Sequence, residues 1–197
     1  MKITFDPKDH TYHSESGRVV PGVNQIMLAT GITEPYTGPP IYGERGTYVH
    51  AATELLDADD LDIEKAKAEA PDWWGYIEAY QTFRAENKID ILASEEIVSH
   101  EAMWYAGRLD RRLMLNGDRT IVDIKTSSCP APWHVVQTVA YRETFPRTDG
   151  YKCRVLYLRQ DGTYRLCGNA KEQEEAMVTW RNAMARWREM YPWSRPD

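Results

Sequence analysis

GRLDRRLMLNGDRTIVDIKT, residues 107–126, is the stretch whose reading decides the fold. Asn116-Gly117 inside it is the strongest short hairpin signal, because a type I′ turn needs positive φ at both central residues. A two-residue loop sets Leu115 opposite Asp118, and pairing then runs back two by two. In that register Leu113 faces Thr120, Asp110 faces Asp123 and Leu109 faces Ile124. Period-two alternation then gives one apolar face, with Leu109, Leu113, Val122 and Ile124. The other face is ionic and carries Arg108, Asp110, Arg112, Asp123 and Lys125.

Directly opposed strand residues have Cβ atoms roughly 4.5 to 5.5 Å apart, and like charges there are destabilising. Asp110 against Asp123 therefore needs compensation. A hard divalent cation supplies it, since Mg²⁺ takes carboxylate oxygens and keeps waters that substrate phosphates can replace. Lys125, two residues beyond Asp123, places a fixed positive charge on the same face. Carboxylates, metal and lysine together suit phosphodiester hydrolysis, in which the metal activates water and the cations stabilise the transition state. A solvated outer face neutralised by Arg108, Arg112 and Lys125 accounts for the same residues, and the hairpin alone leaves both readings open.

GRLD followed thirteen residues after its aspartate by DIK resembles the PD-(D/E)XK nuclease superfamily. QTVAY, residues 137–141, is similar to the QxxxY motif of its RecB-like exonuclease branch, and GTYVHAATE, residues 46–54, to that branch's G-x-x-x-H helix. Further upstream, HTYHSESGRVVPGVNQIM, residues 10–27, resembles the N-terminal segment of phage-type exonucleases. The four motifs occur in order over most of the chain. The resemblance implies a restriction-endonuclease-like α/β core, a central mixed sheet flanked by helices, over residues 1–197 as one nuclease domain. It implies that His50, Asp110, Asp123 and the Ile124 carbonyl ligate Mg²⁺ or Mn²⁺, with Asp110, Asp123 and Lys125 as the catalytic residues. Gln137, Tyr141 and Arg108 would contact DNA or support the site. The implied activity is that of a DNA exonuclease of phage or bacterial recombination and repair, acting on linear single- or double-stranded ends beside a recombination partner protein. An endonuclease of the same superfamily on branched DNA or RNA, and a non-catalytic nucleic-acid-binding scaffold, are the alternatives.

Two neighbouring sets of residues stay open. Glu54 lies one helical turn after His50, where it would either orient the imidazole or face solvent. Glu95 or Glu96 would supply a further carboxylate from the strand preceding Asp110.

The rest of the chain reads as alternating elements. Lys2 to Phe5 and Thr11 to His13 form a short hairpin, a helix follows from about Val23 to Thr30, and Thr33 to Tyr42 is a loop rich in proline and glycine. Thr47 to Leu56 is the His50 helix. Trp73, Ile77, Tyr80 and Phe83 recur at helical spacing over Asp72 to Glu86 and form a core stripe, with base stacking as the lesser reading. Ile89 to His100 is the first sheet strand, and Trp133 to Thr144 places Gln137 and Tyr141 on one helix face. Lys152 to Arg159 and Thr163 to Cys167 flank an Asp-Gly turn. Met177, Trp180, Met184, Trp187 and Tyr191 mark a closing amphipathic helix over Lys171 to Tyr191, ahead of a frayed WSRPD tail.

With 197 residues, 42% of them hydrophobic, the chain is long enough for a substantial core. A net charge of −6 argues against a nonspecific basic coat. Local steering of phosphate would fall to Arg108, Arg111, Arg112, Lys125, Arg142 and Arg147. Cys129, Cys153 and Cys167 lack paired CxxC spacing and fall short of the four thiolates of an iron–sulfur cluster, so no such cluster is expected. Unpaired thiols, no membrane-length apolar run and no signal-peptide pattern in MKITFDPKDH lead to the expectation of a cytoplasmic protein, bacterial or in the host of a phage.

Overall fold

The computed structural model describes residues 1–192 and 194; the tail expected to fray, apart from Ser194, lies outside them. A five-stranded sheet runs β4 (Ile89–His100), β5 (Tyr105–Leu115), β6 (Asp118–Lys125), β7 (Lys152–Leu158) and β8 (Tyr164–Cys167), in that spatial order. β6 and β7 are parallel and every other pair is antiparallel, giving a mixed α/β sheet. The parallel pair needs a crossover, and α5 (Pro132–Arg142) supplies it.

Both faces of this sheet are covered, so its central strands are apolar in both directions. β7 alternates cleanly: Cys153, Val155 and Tyr157 pack under α1 (Val23–Ala29), α5 and α6 (Ala170–Met190), while Leu156 and Leu158 pack under α2 (Pro40–Asp57) and α4 (Trp74–Glu86). Trp180 of α6 is buried at the centre of the first layer, edge-on to Tyr105 at 5.1 Å. Asn169 starts that helix with a reciprocal cap, accepting from the Glu172 N–H while Glu172 accepts from the Asn169 N–H.

The Asn-Gly hairpin forms as expected. Asn116 and Gly117 have φ of 53° and 92°, and the pairs Leu115↔Asp118 and Leu113↔Thr120 hold. The β5–β6 ladder ends, however, at Arg111↔Val122. Leu109 packs in the α1/α5/α6 layer, whereas Leu113, Val122 and Ile124 pack in the α2/α4 layer. The single apolar face expected to include Leu109 is thus broken. β5 changes sides at Asp110, where the strands part and a carboxylate takes the place of a ladder rung.

Other elements also differ from the sequence reading. α2 begins at Pro40 rather than Thr47, taking the end of the expected loop into the helix. Pro39 is held extended by the proline after it, and Pro40 fits the first helical turn because its missing N–H has no partner to lose there. The segment between α2 and α4 holds an unanticipated short helix, α3 (Ile63–Glu69), capped by the Asp62 side chain on the Lys65 N–H. Pro71–Trp73 is a 3₁₀ turn ahead of α4. The N-terminal hairpin of β1 (Ile3–Asp6) and β2 (Thr11–Ser14) gains a third strand, β3 (Val19–Val20), and forms a separate small sheet. Among the described residues no helix is long and apolar enough to cross a membrane.

Candidate active site

Where β5 and β6 part, a cavity of about 700 Å³ opens between the sheet, α2, α5 and the N-terminal sheet. Asp110 sits at its floor. Its Oδ2 accepts the Ile124 backbone N–H at 2.6 Å, and its Oδ1 lies 3.6 Å from His50 Nδ1. His50 comes from the buried side of α2, beside Val49, Ala52 and Thr53. Its Nε2 lies 3.0 Å from the Ile124 carbonyl, which can only accept, so that nitrogen carries a proton.

Glu95 completes the cluster from β4. It is a non-glycine residue at φ 49° in the middle of a strand, a conformation that costs on the order of 1–3 kcal/mol and persists only where surroundings hold it. Arg108 and Arg111 do so, at 3.1 and 3.4 Å, while Glu95 Oε1 stands 3.7 Å from His50 Nδ1. Ligand atoms of His50, Glu95 and Asp110 all lie within 4.8 Å of one another. Burial pulls the His50 pKa down, but Asp110 and Glu95 outweigh it and the net shift is upward. Burial raises the Glu95 carboxyl, yet His50, Arg108 and Arg111 bring it below its ordinary value.

Asp123 and Lys125 project from β6 into the same cavity. Asp123 is 1% exposed; Lys125 Nζ pairs with its Oδ2 at 2.6 Å, and its Oδ1 has no hydrogen-bond partner. Burial pushes its pKa up to about 6, with Lys125 opposing and Asp110 adding to the rise. Lys125 loses stability as a cation by burial, but Asp123 and Asp110 more than restore it, so the ammonium stays charged. Its Nζ also donates to Gln137 Oε1 at 3.1 Å, and Gln137 Nε2 donates to the Tyr141 hydroxyl at 2.9 Å. Gln137 and Tyr141 are buried and brace the lysine from α5. Gly107 makes room for this brace: a Cβ there would lie 2.5 Å from Tyr141 Cε1.

The donor set fits a hard divalent cation. His50, Glu95 and Asp110 bring one ligand atom each together, Asp123 lines the same cavity, and a mainly carboxylate set of this kind suits Mg²⁺ or Mn²⁺. A buried aspartate whose Oδ1 has no partner and whose Oδ2 is met only by Lys125, at 2.6 Å, is the specific sign, since a buried polar atom is costly unless something pairs with it.

His50, Asp110, Asp123, Ile124, Lys125, Gln137 and Tyr141 therefore share one site, with half-exposed Arg108 at its edge. Of the two glutamates left open, Glu95 joins the cluster. Glu96 is held by a two-pronged bond to Arg112, at 2.7 and 3.1 Å. Glu54 lines the cavity but is exposed, and the carboxylates at His50 Nδ1 are Glu95 and Asp110. The expected basic cluster disperses. Arg111 is fully buried, Arg112 is paired with Glu96, and Arg142 lies 3.6 Å from Glu143.

Arg111 is what the sequence reading missed. Its guanidinium binds Asp57 at 2.5 Å, the Asp110 carbonyl at 2.7 Å and the Thr53 hydroxyl at 3.1 Å, and the Tyr80 hydroxyl donates to Asp57 as well. This network locks α2, with His50, onto β5. Its signal was the spacing of His50, Thr53 and Asp57 at i, i+3 and i+7, a polar stripe on the helix face that must be buried. The sequence matches no family model, and no curated protein is significantly similar to it.

Proposed function

We propose that the protein is a Mg²⁺- or Mn²⁺-dependent deoxyribonuclease with a restriction-endonuclease-like core, acting as an exonuclease on DNA ends in phage or bacterial recombination and repair. The observation that carries this reading is the buried Asp123 carboxylate, paired with Lys125 through Oδ2 and unpartnered at Oδ1, in the cavity that His50 and Asp110 also line. A purely structural salt bridge has no use for a second, unpartnered buried oxygen. A binding scaffold has no use for four ionisable side chains in one crevice. The order helix, strand, hairpin, helix, strand agrees with the fold that the motif resemblance implies.

His50, Glu95, Asp110, Asp123 and the Ile124 carbonyl would hold the cation. When bound, the cation supplies Lewis-acid activation of water and neutralisation of phosphate charge. Lys125, kept protonated by its two carboxylate neighbours, presents its ammonium where negative charge grows on the phosphoryl oxygens. Gln137 fixes the direction of that ammonium, and Tyr141 fixes Gln137. Arg108, half-exposed at the edge, offers a guanidinium to a neighbouring phosphate.

A time course with Mn²⁺ on linear duplex, linear single-stranded and circular single-stranded DNA tests the proposal. Wild type should degrade linear DNA and spare the circle. Asp123→Asn and Lys125→Met should each lose at least about 100-fold in rate, the scale of removing one transition-state contact. Variants as active as wild type would overturn the assignment. Cutting of the circle would replace exonuclease by endonuclease, and EDTA-insensitive binding without cleavage of any substrate would leave a scaffold.

A further inference from the structure

Three aromatic residues of the N-terminal sheet line the cavity although none belongs to the machinery above. Phe5 and Tyr12 are directly opposed on β1 and β2, with ring centroids 5.0 Å apart, and His10 packs edge-on to Phe5 at 5.8 Å. Among the described residues Phe5 belongs to none of the three apolar clusters, so core packing does not account for an aromatic ring there. Tyr12 rests one edge on the small core of Val20, Trp104 and Ala106, and Gly22 keeps its ring clear, since a Cβ at Gly22 would come within 3.1 Å of it. His10 closes the hairpin at φ 53°, an uncommon conformation for a residue with a side chain.

The Arg108 guanidinium joins these rings to the ionic cluster. Its carbon lies 5.3 Å from the Phe5 ring centre while its Nε bonds Glu95 at 3.1 Å. A ring surface next to a fixed cation is the combination that holds single strands: a base stacks and the guanidinium takes a phosphate. A base inside a duplex is already stacked on both faces, whereas an unpaired one has both faces free for these rings. Trp73, the other aromatic considered for stacking, packs on Tyr48 and the α2/α4 core instead.

We propose that Phe5, Tyr12 and His10 form a stacking platform for an unpaired base of the DNA strand, with Arg108 on the adjoining phosphate. The protein then engages single-stranded or frayed ends. This rests on the nuclease reading, but its test has a separate readout. Single-stranded oligonucleotides with 2-aminopurine at the 5′ or the 3′ terminus report stacking as fluorescence quenching, and Ca²⁺ in place of Mg²⁺ or Mn²⁺ keeps them intact.

Wild type should quench one of the two. Phe5→Leu should abolish the quenching and weaken binding about 5- to 150-fold, the range for losing one base–aromatic stack, while Phe5→Trp should keep both. An oligonucleotide with an abasic terminus should bind wild type as weakly as the intact one binds Phe5→Leu. Phe5 is only half-buried, and circular dichroism with a melting curve checks that each variant is folded. Failure to bind, quenching at neither end, or a Phe5→Leu affinity within about twofold of wild type overturns the platform, whatever cleavage shows. Quenching that depends on Phe5, without cleavage under any metal, upholds the platform and overturns the nuclease.

Discussion

Replacing Arg111 with methionine should destabilise the protein by about 3–5 kcal/mol, the cost of stranding a buried charge by removing its partner. Arg111 and Asp57 have side chains 0% and 3% exposed, so water cannot take over the lost contacts. Asp57 would keep the Tyr80 hydroxyl, at 2.8 and 2.9 Å, and a distant Arg84 at 3.8 Å. At that distance Arg84 replaces only part of what Arg111 supplies at 2.5 Å. The Asp110 carbonyl and the Thr53 hydroxyl would each lose a donor as well, at a further cost already within that range. For a chain of this length about 2–4 °C of melting temperature accompanies each kcal/mol, so a fall of roughly 6–20 °C is expected. Urea unfolding in EDTA measures the change without a metal contribution. Adding Asp57→Leu and Tyr80→Phe to Arg111→Met should recover part of the loss, because the stranded charge and its donor leave together. A single variant within about 1 kcal/mol of wild type, or a triple variant less stable than the single one, would refute the view that this pair is held together by mutual need.

Metal binding should weaken in mild acid. Asp123 titrates at about 6 and His50 above its ordinary range, and both must lose their protons to act as ligands. In metal-free protein the sign is opposite: a carboxyl with a raised folded pKa stabilises the fold fully below about pH 4, and that contribution is lost as pH rises through about 6. The melting-temperature difference between Mn²⁺ and EDTA samples should therefore widen from about pH 5 to pH 7.5; a flat difference would contradict it. Gly107→Ala should cost about 1–3 kcal/mol by overpacking, since its Cβ meets the Tyr141 ring at 2.5 and 3.1 Å. It should also slow cleavage through the Tyr141–Gln137–Lys125 chain. A variant with unaltered melting and activity would mean that the ring moves freely.

The hairpin was readable because an Asn-Gly turn restricts backbone geometry over two residues, and a ladder propagates that restriction outward. Propagation fails where a side chain competes with the backbone. Asp110 does so by binding the Ile124 N–H, and no period-two pattern can announce it. The helices α1, α4, α5 and α6 were readable from apolar spacing, as in the buried Ile77, Tyr80 and Phe83. The start of α2 was not, because Gly43 and Gly46 argue against a helix that tertiary contacts nevertheless impose. At the site, Asp110, Asp123 and Lys125 were readable from the hairpin register and their chemical type, and His50 from the motif resemblance. The choice of Glu95 over Glu96 depended on a positive φ that reverses the side on which a side chain emerges, and long-range pairing to Arg112 removed the competitor. The burial of Arg111 was hidden for a related reason: its partner Asp57 is 54 residues away.

The carboxylate of Asp110 has a second duty that bears on how the site can be dissected. It fills the place of a backbone acceptor for the Ile124 N–H, so Asp110→Ala would leave that buried donor without a partner and loosen the join between β5 and β6. An inactive Asp110→Ala protein would be ambiguous between lost chemistry and lost architecture. Asp123 holds no backbone group and pairs only with the Lys125 ammonium, so its substitution acts within the site and leaves the join between the strands alone. Two aspartates that look equivalent in a motif thus differ in kind, one tied to the backbone of the sheet and the other only to a side chain of the site.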